Sequence, residues 1–206
     1  MNTLHPQDPV FIVFEGLDGS GKSTCARIVA QELGAELMTT PSPDVRVYRE
    51  DTITSFSGCQ EACQLFYLAT VFAASARVGD LLADGRSVVL DRYFLSTQAY
   101  AAFRGSTLDL DPIARHLLPA DVTVFLDVPL STRRSRVSKR GATIADCETM
   151  SPEADATLLR THAERFGLPI VGRLLRLDGK RLSPDEVVSR VVDASGRGRR
   201  ALSRHG

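Results

Sequence analysis

The segment Gly16–Ser23 constrains this chain more than any other part of its sequence. It reads GLDGSGKS and fits the pattern G-x-x-x-x-G-K-[ST] at every fixed position. It follows Val10–Phe14, a continuous apolar run that is typical of a strand buried on both faces. The sequence after it is compatible with a helix over Lys22–Leu33, and Gly34 is suited to end that helix. A strand, a glycine-rich turn and a helix in this order predict a loop that binds the phosphates of a nucleoside triphosphate.

Each residue type in this loop has a physical reason. Glycine lets backbone N–H groups turn towards phosphate oxygens, and the helix that follows adds the positive end of its dipole. Lys22 supplies a mobile cation for the β- and γ-phosphates, and the Ser23 hydroxyl can coordinate Mg²⁺. The residues predicted to bind the nucleotide are Gly16, Asp18, Gly19, Ser20, Gly21, Lys22, Ser23 and Thr24.

Strands and helices are predicted to alternate along the whole chain. Further strands are predicted at Glu36–Thr39, Ser87–Leu90, Val122–Leu126 and Leu174–Leu177, and helices at Ser57–Ala83, Leu95–Phe103, Pro112–Leu118, from Leu130, at Pro152–Phe166 and at Pro184–Val192. Pro41 and Pro43 predict an irregular segment, because each lacks a backbone donor and restricts the residue before it. The alternation predicts one α/β domain over residues 1–206, with a parallel sheet of about five strands and helices on both faces.

Composition excludes several classes of protein. The 206 residues carry 25 Lys plus Arg against 25 Asp plus Glu, so a generally basic coat for nucleic acid is excluded. The four cysteines have no metal-ligand spacing. We find no signal peptide, and we expect no apolar run of the roughly 20 residues that cross a bilayer. The sequence therefore predicts a cytoplasmic protein without a nucleic-acid or membrane partner.

A charged tripeptide, Asp91-Arg92-Tyr93, follows the second strongly apolar strand. In a parallel sheet this end of the strand faces the same crevice as the phosphate loop. There Asp91 can hold Mg²⁺ or its water, and Arg92 can clamp a phosphate with two hydrogen bonds. An N-K-x-D element, which a GTPase would need to read its base, is absent from the sequence.

In three segments the chain resembles the thymidylate kinases, members of the nucleoside monophosphate kinase group. The segments are FIVFEGLDGSGKST (Phe11–Thr24), LFYLAT (Leu65–Thr70) and LADGRSVVLDRYFLSTQAY (Leu82–Tyr100), and FLDVPLSTRRSR (Phe125–Arg136) is similar to the strand that leads into the family's lid. The resemblance covers residues 10 to 195, and it is specific in the first half. It implies a three-layer P-loop NTPase fold, ATP and Mg²⁺ as cofactors, transfer of phosphate to a nucleoside monophosphate, and a homodimer formed through helices like Ser57–Ala83.

The resemblance also implies roles for residues near the reacting phosphates. Lys22 would be catalytic, and Asp91 would organise Mg²⁺ together with Ser23. Arg92 would hold the acceptor phosphate, and Asp18 would face the 3′-hydroxyl of the acceptor sugar.

The remaining roles concern the acceptor nucleoside. Phe66 would stack on the base, with Ser96 and Gln98 near its polar edge. Tyr100 would lie under the sugar and disfavour a 2′-hydroxyl. An aromatic residue on a helical stripe is also typical of a core, and Ser96 and Gln98 also suit a surface helix, so these alternatives stay open.

A basic run lies between Leu130 and Gly141, where five cations occur without a carboxylate: Arg133, Arg134, Arg136, Lys139 and Arg140. A solvated helix face is one interpretation. The other is an Arg-rich lid, at about residues 137–150, that brings an arginine onto the transferring phosphoryl group. Arg136 and Arg140 are the candidates for that role. The Gly/Arg/Ser-rich tail, about 196–206, is predicted to fray.

Two departures from the family fall on the acceptor side. Thr39–Asp44 stands where thymidylate kinases usually carry Arg-Glu-Pro-Gly-Gly, and Thr70 stands where they usually have an arginine. Either Arg46 or Arg49 substitutes for a missing cation, or the acceptor is another nucleotide, a nucleoside or another small metabolite. The sequence therefore predicts a thymidylate kinase-like phosphotransferase, with a kinase of a different acceptor and a non-catalytic nucleotide-binding regulator as the alternatives.

Overall fold

A computed structural model describes residues 8–141 and 148–196 of the chain. Its five strands form one parallel sheet in the order β2-β3-β1-β4-β5. The strands are β1 (Phe11–Glu15), β2 (Glu36–Thr39), β3 (Val88–Asp91), β4 (Val122–Asp127) and β5 (Arg173–Asp178). The predicted α/β fold with about five parallel strands is confirmed.

Strand β1 occupies the centre of the sheet, and all five of its residues are buried. The apolar run predicts this burial for the first four residues, and the fifth is Glu15. It pairs with β3 on one side and with β4 on the other, and Phe14 stands opposite Asp91. The chain leaves β1 and β3 in opposite directions across the sheet. A crevice forms outside the carboxyl ends of such a pair of strands, and ligands bind there in open α/β sheets.

Helices cover both faces of the sheet. They are α1 (Lys22–Leu33), α2 (Pro43–Val47), α3 (Arg49–Ser55), α4 (Gln60–Ala83), α5 (Phe94–Phe103), α6 (Leu130–Arg140), α7 (Pro152–Ala163) and α8 (Pro184–Ala194), with 3₁₀ helices at Asp111–His116 and Pro169–Val171. Because alternate strand residues point to opposite faces, Phe11 and Val13 join the core beneath α4, whereas Ile12 and Phe14 join the core beneath α1 and α8. The result is the three-layer arrangement that the sequence predicts.

The prediction of an irregular segment after Pro41 is wrong in part, because this segment contains α2 and α3. Pro43 is the first residue of α2, a position where its fixed φ suits a helix and its missing N–H costs nothing. The long helix expected from Ser57 begins instead at Gln60. Ser57 and Gly58 have φ of 51° and 84°, which a right-handed helix cannot accommodate.

Helix α4 buries a different stripe from the one that its small residues suggested. The buried residues are Cys63, Gln64, Leu68, Val71, Ala74, Ser75, Val78 and Leu81. The alanines at 69, 73 and 76, which belong to the expected apolar stripe, are exposed. By length and composition α4 would also suit a membrane span, so the expectation of no such stretch is wrong for this helix. One side of α4 nevertheless packs in the core of the sheet.

Two predicted segments extend past the described residues. Of the lid at about 137–150, residues 142–147 lie outside them, and so does the tail from residue 197 onward.

At the start of α8, the prediction that Ser183 caps this helix is confirmed. The Ser183 hydroxyl accepts a hydrogen bond from the backbone of Glu186, and the Glu186 carboxylate accepts one in return.

Candidate active site at the carboxyl edge of the sheet

The phosphate loop is packed so closely that only glycine fits at two of its positions. Gly16 and Gly19 have φ of 140° and 78°. A Cβ atom at Gly16 would lie 2.9 Å from the backbone oxygen of Leu126, and one at Gly19 would lie 2.9 Å from that of Arg133. The loop is therefore wedged between β4 and α6, with its backbone free to face the crevice.

A cavity of about 1000 Å³ lies over the carboxyl ends of β1 and β3. Of the predicted nucleotide-binding residues, those that line it are Asp18, Gly19, Gly21, Lys22, Ser23 and Thr24. The other two, Gly16 and Ser20, are buried behind this lining. This volume lies at the upper end of the range of about 300–1,000 Å³ that is common for ligand pockets.

Asp18 lies where the phosphate loop meets the rest of the cavity. Its carboxylate accepts hydrogen bonds from Arg92 and, at 2.8 Å, from the Tyr100 hydroxyl. The Lys22 ammonium is 3.9 Å away, and the Thr149 hydroxyl is 3.5 Å away. The side chains of Arg92, Tyr100, Lys22 and Thr149 thus converge on the Asp18 carboxylate.

The charges of this cluster follow from burial and from these contacts. Burial alone would raise the pKa of Asp18, but Arg92 and Lys22 outweigh it and hold this pKa well below its usual range. Burial, together with Arg92, lowers the pKa of Lys22 to about 8 against the opposing effect of Asp18. Burial also raises the pKa of Tyr100 above its usual range. At neutral pH Asp18 is therefore an anion, Tyr100 a neutral donor, and Lys22 a cation.

Arg92 reaches Asp18 from an uncommon backbone conformation. Its φ is 71°, which is sparsely populated by bulky residues. Its N–H donates to Phe14 O at 2.9 Å, and its carbonyl accepts from the Thr40 hydroxyl at 2.7 Å. These bonds hold the conformation and direct the guanidinium towards the loop.

Asp91 and Ser23 suit a magnesium ion. The Oδ1 atom of Asp91 is buried without a hydrogen-bond partner, and Ser23 is exposed on the cavity wall. Mg²⁺ is usually held by one or two protein oxygens together with substrate phosphates and waters. Residues 8–141 and 148–196 contain no cluster of three or more His, Cys, Asp or Glu side chains that could hold a metal ion by themselves.

Glu15 supports the site from beneath, and the sequence analysis missed it. Its fully buried carboxylate accepts from the Tyr93 N–H at 3.0 Å, the Ser96 N–H at 3.2 Å and the Ser96 hydroxyl. Burial raises its pKa in spite of these bonds. Ser96, expected near a base, lines the cavity but donates its hydroxyl to Glu15. The sequence signal that could have identified Glu15 was a carboxylate directly after the apolar run Val10–Phe14.

The aromatic residue that α4 contributes to the cavity wall is Tyr67 rather than Phe66. Phe66 packs edge-on against Phe56 and Tyr67, with ring centroids 6.3 and 5.4 Å apart. Tyr67 and Thr70 line the cavity, and the Thr70 hydroxyl donates to the Tyr67 carbonyl at 2.7 Å. The residues of α4 that line the cavity share one helical face: Gln60, Cys63, Gln64, Tyr67 and Thr70. Their three- and four-residue spacing in the sequence is the signal that could have placed Tyr67 on this face.

Gln98 lies behind a second glutamine. It is buried, and its Oε1 accepts from Gln64 Nε2 at 2.7 Å, while its own Nε2 has no partner. The Ser106 hydroxyl donates to Gln64 Oε1. Gln64, which lines the cavity, therefore presents the polar surface that the sequence analysis expected from Gln98.

The five cations of the basic run have different surroundings. Arg133 is fully buried: its Nε donates to Val128 O at 3.1 Å, its Nη1 donates to Asp18 O at 3.2 Å, and it pairs with Asp155. Arg134 donates to the Met150 carbonyl at 2.8 Å. Lys139 is exposed.

Arg136 and Arg140 are the members of the run that line the cavity. Arg136 donates to Ser20 O at 2.8 Å and to Gly179 O at 2.9 Å. Both of the arginines that the sequence analysis preferred thus lie beside the phosphate loop.

Further cations line the cavity: Arg27, Arg46, Arg49 and Arg104. Arg104 lies over the Tyr100 ring at 5.9 Å and pairs with Glu148 at 3.3 Å. The carboxylates of the lining are Asp18 and Asp91. Such an excess of positive charge over a phosphate loop favours ligands with several phosphates.

The sequence model of the thymidylate kinase family, described as Thymidylate kinase, matches residues 14–169. The chain belongs to the thymidylate kinase family. The resemblance found in the sequence is thereby confirmed, and this member of the thymidylate kinase family is an ATP-dependent nucleoside monophosphate kinase.

Relatives agree with the assignment, and a solved structure shares the fold. The chain is 30% identical over 192 residues to a thymidylate kinase from Akkermansia muciniphila, covering 89% of each protein. It is 29% identical to a probable thymidylate kinase from Methanococcus maripaludis strain C6, covering 89% of this chain and 94% of that one. The structure of thymidylate kinase from Candida albicans shares the fold, with a TM-score of 0.71 and 23% identity over 93% of this chain and 94% of that one.

Proposed function

We propose that this thymidylate kinase family member transfers the γ-phosphoryl group of ATP to dTMP in the cytoplasm. A phosphate oxygen of dTMP attacks the γ-phosphorus, the bond to the β–γ bridging oxygen breaks, and ADP and dTDP result. The observation that carries the proposal is the Asp18 carboxylate, which lies between the phosphate loop and Tyr100. In this proposal Asp18 would bind a sugar hydroxyl of an acceptor whose phosphate would point at Arg92 and the loop.

On the donor side we assign binding of the ATP phosphates to the loop N–H groups and Lys22. Ser23 and Asp91 would hold Mg²⁺, which neutralises phosphate charge and helps to align the two nucleotides. Arg136 and Arg140 would stabilise the charge that spreads over the transferring group. This chemistry requires positioning and charge neutralisation more than covalent steps by the protein.

On the acceptor side Arg92 would hold the phosphate of dTMP and Asp18 would accept its 3′-hydroxyl. The Tyr100 ring, fixed by its bond to Asp18, would occupy the space of a 2′-hydroxyl and so favour deoxynucleotides. Thr70, Ser96 and Tyr67 line the wall where the base would lie. Phe66 and Gln98 would act through their neighbours Tyr67 and Gln64.

The acceptor is tested by ADP formation from ATP with a panel of nucleoside monophosphates and the matching nucleosides. We expect dTMP to give the highest kcat/KM. Turnover of nucleosides alone would contradict the monophosphate assignment and favour a kinase of a different acceptor. No stimulation of ADP release by any acceptor would favour a non-catalytic regulator.

We also propose that two copies of the chain associate through α4. This helix exposes Leu65, Phe72 and small residues at 69, 73 and 76 on one side. An exposed apolar stripe with small residues allows close contact between two copies of the same helix.

Replacing Ala73 with glutamate is therefore expected to convert a dimer into a monomer, because it would bury two like charges at the contact. Sedimentation equilibrium measures the mass directly. Ser189→Glu, an equivalent change on the exposed side of α8, is the control and should leave the dimer intact. A monomeric unsubstituted chain, or a dimeric Ala73→Glu variant, would contradict the proposal.

A further inference from the structure

A carboxylate of β1 caps α5 from outside that helix. Tyr93 is the N-cap residue of α5, and its own side chain makes no capping bond. Oε1 of Glu15 accepts instead from the Tyr93 N–H at 3.0 Å and from the Ser96 N–H at 3.2 Å, while Oε2 accepts from the Ser96 hydroxyl. In a capping box two side chains satisfy the N–H groups of the N-cap and N3 residues. Here Glu15 alone satisfies both.

The negative charge of Glu15 suits this position. All three of its bonds come from donors, so both carboxylate oxygens act as acceptors, and the positive end of the α5 dipole favours an anion there. Burial raises the pKa of Glu15, and Arg92 lies close enough to act in the opposite direction. Because Glu15 is fully buried, any effect that it has on a substrate must pass through its neighbours at the start of α5.

Arg92 lies between two bonds made by consecutive residues of β1. Its own N–H donates to Phe14 O at 2.9 Å, and the N–H of the next residue, Tyr93, donates to Glu15. The φ of Arg92 is 71°, which a bulky residue keeps only when its surroundings hold it. The bond to Phe14 fixes the chain where it enters this turn, and Glu15 fixes it where α5 begins.

We infer that Glu15 is a positioning residue for phosphate transfer: by capping α5 it holds the turn at Arg92 and so aims the guanidinium at the acceptor phosphate. The inference rests on the proposed function, in which Arg92 holds that phosphate. Ser96 then serves the reaction through Glu15 rather than by contact with the base. Since Gly16 follows Glu15 directly, the same carboxylate links the start of the phosphate loop to the acceptor side.

The test measures kcat and both KM values with ATP and dTMP for two substitutions of Glu15. We expect Glu15→Ala to lower kcat roughly 10²-fold, the size expected for a misplacement of about 1 Å, with the KM for ATP within about threefold. Glu15→Gln should keep kcat within about fivefold, because Oε1 can accept from both N–H groups while Nε2 donates to the Ser96 hydroxyl. Equal losses for the two variants, or little loss for Glu15→Ala, would overturn the inference.

Ser87→Ala is the control for a general loss of stability. The buried Ser87 hydroxyl accepts from the Val10 N–H at 3.1 Å, beside the opposite end of β1. Its removal breaks the same kind of bond away from Arg92, so kcat should stay within about twofold even if the midpoint of thermal unfolding falls. If this variant loses as much turnover as Glu15→Ala, the effect belongs to the stability of the sheet and the inference fails.

A double variant decides whether Ser96 acts through Glu15. Ser96→Ala alone should lower kcat several-fold, and this variant carries the test if Glu15→Ala does not fold. In the Glu15→Ala enzyme the same substitution should change kcat by less than about twofold, because the hydroxyl no longer has a carboxylate to hold. A loss of the same size in both backgrounds would mean that Ser96 contacts the acceptor itself, and unchanged kcat in Ser96→Ala would also count against the inference.

Hydrogen exchange tests the cap without any substrate. The N–H groups of Tyr93 and Ser96 should exchange roughly tenfold faster in Glu15→Ala and keep their protection in Glu15→Gln. If the unsubstituted chain turns over no monophosphate, the proposed function fails, and this measurement still decides whether Glu15 holds the turn at Arg92. Unchanged exchange of both N–H groups in Glu15→Ala would show that it does not.

Discussion

Replacing Asp91 with asparagine is expected to lower kcat by roughly 10³-fold while the affinity for ATP changes little. The substitution keeps the shape of the side chain and removes its charge. The Oδ1 atom of Asp91 is buried at the end of β3 without a partner, so its charge is available to a metal ion. Lys22 and the loop N–H groups, which would bind the ATP phosphates, are untouched by this change.

The measurement is kcat with dTMP, together with calorimetric titration of ATP. Asp127 offers a matched control, because it ends strand β4 at the same edge of the sheet and pairs with the exposed Arg176. Asp127→Asn should keep kcat within about twofold, as is usual for a surface substitution. If Asp91→Asn retains more than a tenth of the turnover, Asp91 does not take part in the transfer.

Replacing Arg133 with alanine should have the largest effect on stability, about 3–5 kcal/mol. Its side chain is 1% exposed and joins three groups: the Asp155 carboxylate and the carbonyls of Val128 and Asp18. Removing the guanidinium leaves these acceptors without their donor and opens a cavity in the packing beneath α6. For a chain of this length the midpoint of thermal unfolding should fall by roughly 10 °C.

Thermal unfolding measured by circular dichroism tests this expectation. Arg134→Ala is the control, because Arg134 is the exposed neighbour on the same helix and should change stability by less than about 0.5 kcal/mol. Arg133→Met fills much of the same volume and separates the lost packing from the lost hydrogen bonds. A midpoint for Arg133→Ala close to that of Arg134→Ala would show that the buried contacts contribute little.

The donor half of the site could be predicted from the sequence because its residues are adjacent along the chain. The strand β1, the loop and α1 follow each other directly, and each element carries a strong local pattern. The apolar strand before Asp91 placed this residue at the same edge of the sheet for the same reason. Local periodicity and glycine chemistry are sufficient for this half.

The acceptor half could not be predicted in the same way, because distant segments supply it. Gln64 meets Gln98 and Ser106 only in the folded chain, and Arg49 meets Tyr67 across two helices. The basic run shows a further limit of the sequence. Charge alone did not reveal that Arg133 points inward, since the burial of this residue depends on Asp155, 22 positions further along the chain.

The turn at Arg92 has a mechanical consequence for this enzyme. Its backbone bonds to Phe14 of β1 and to Thr40, which follows β2, while Tyr93 is bonded to Glu15. Hydrogen bonds thus join the carboxyl ends of β1, β2 and β3 at the tripeptide Asp91-Arg92-Tyr93. The phosphate loop and the floor of the acceptor half therefore form a rigid frame. Helices α2 and α3 have no buried residues. We therefore expect that any closure over the substrates on that side would move these two helices, because little packing holds them to the frame.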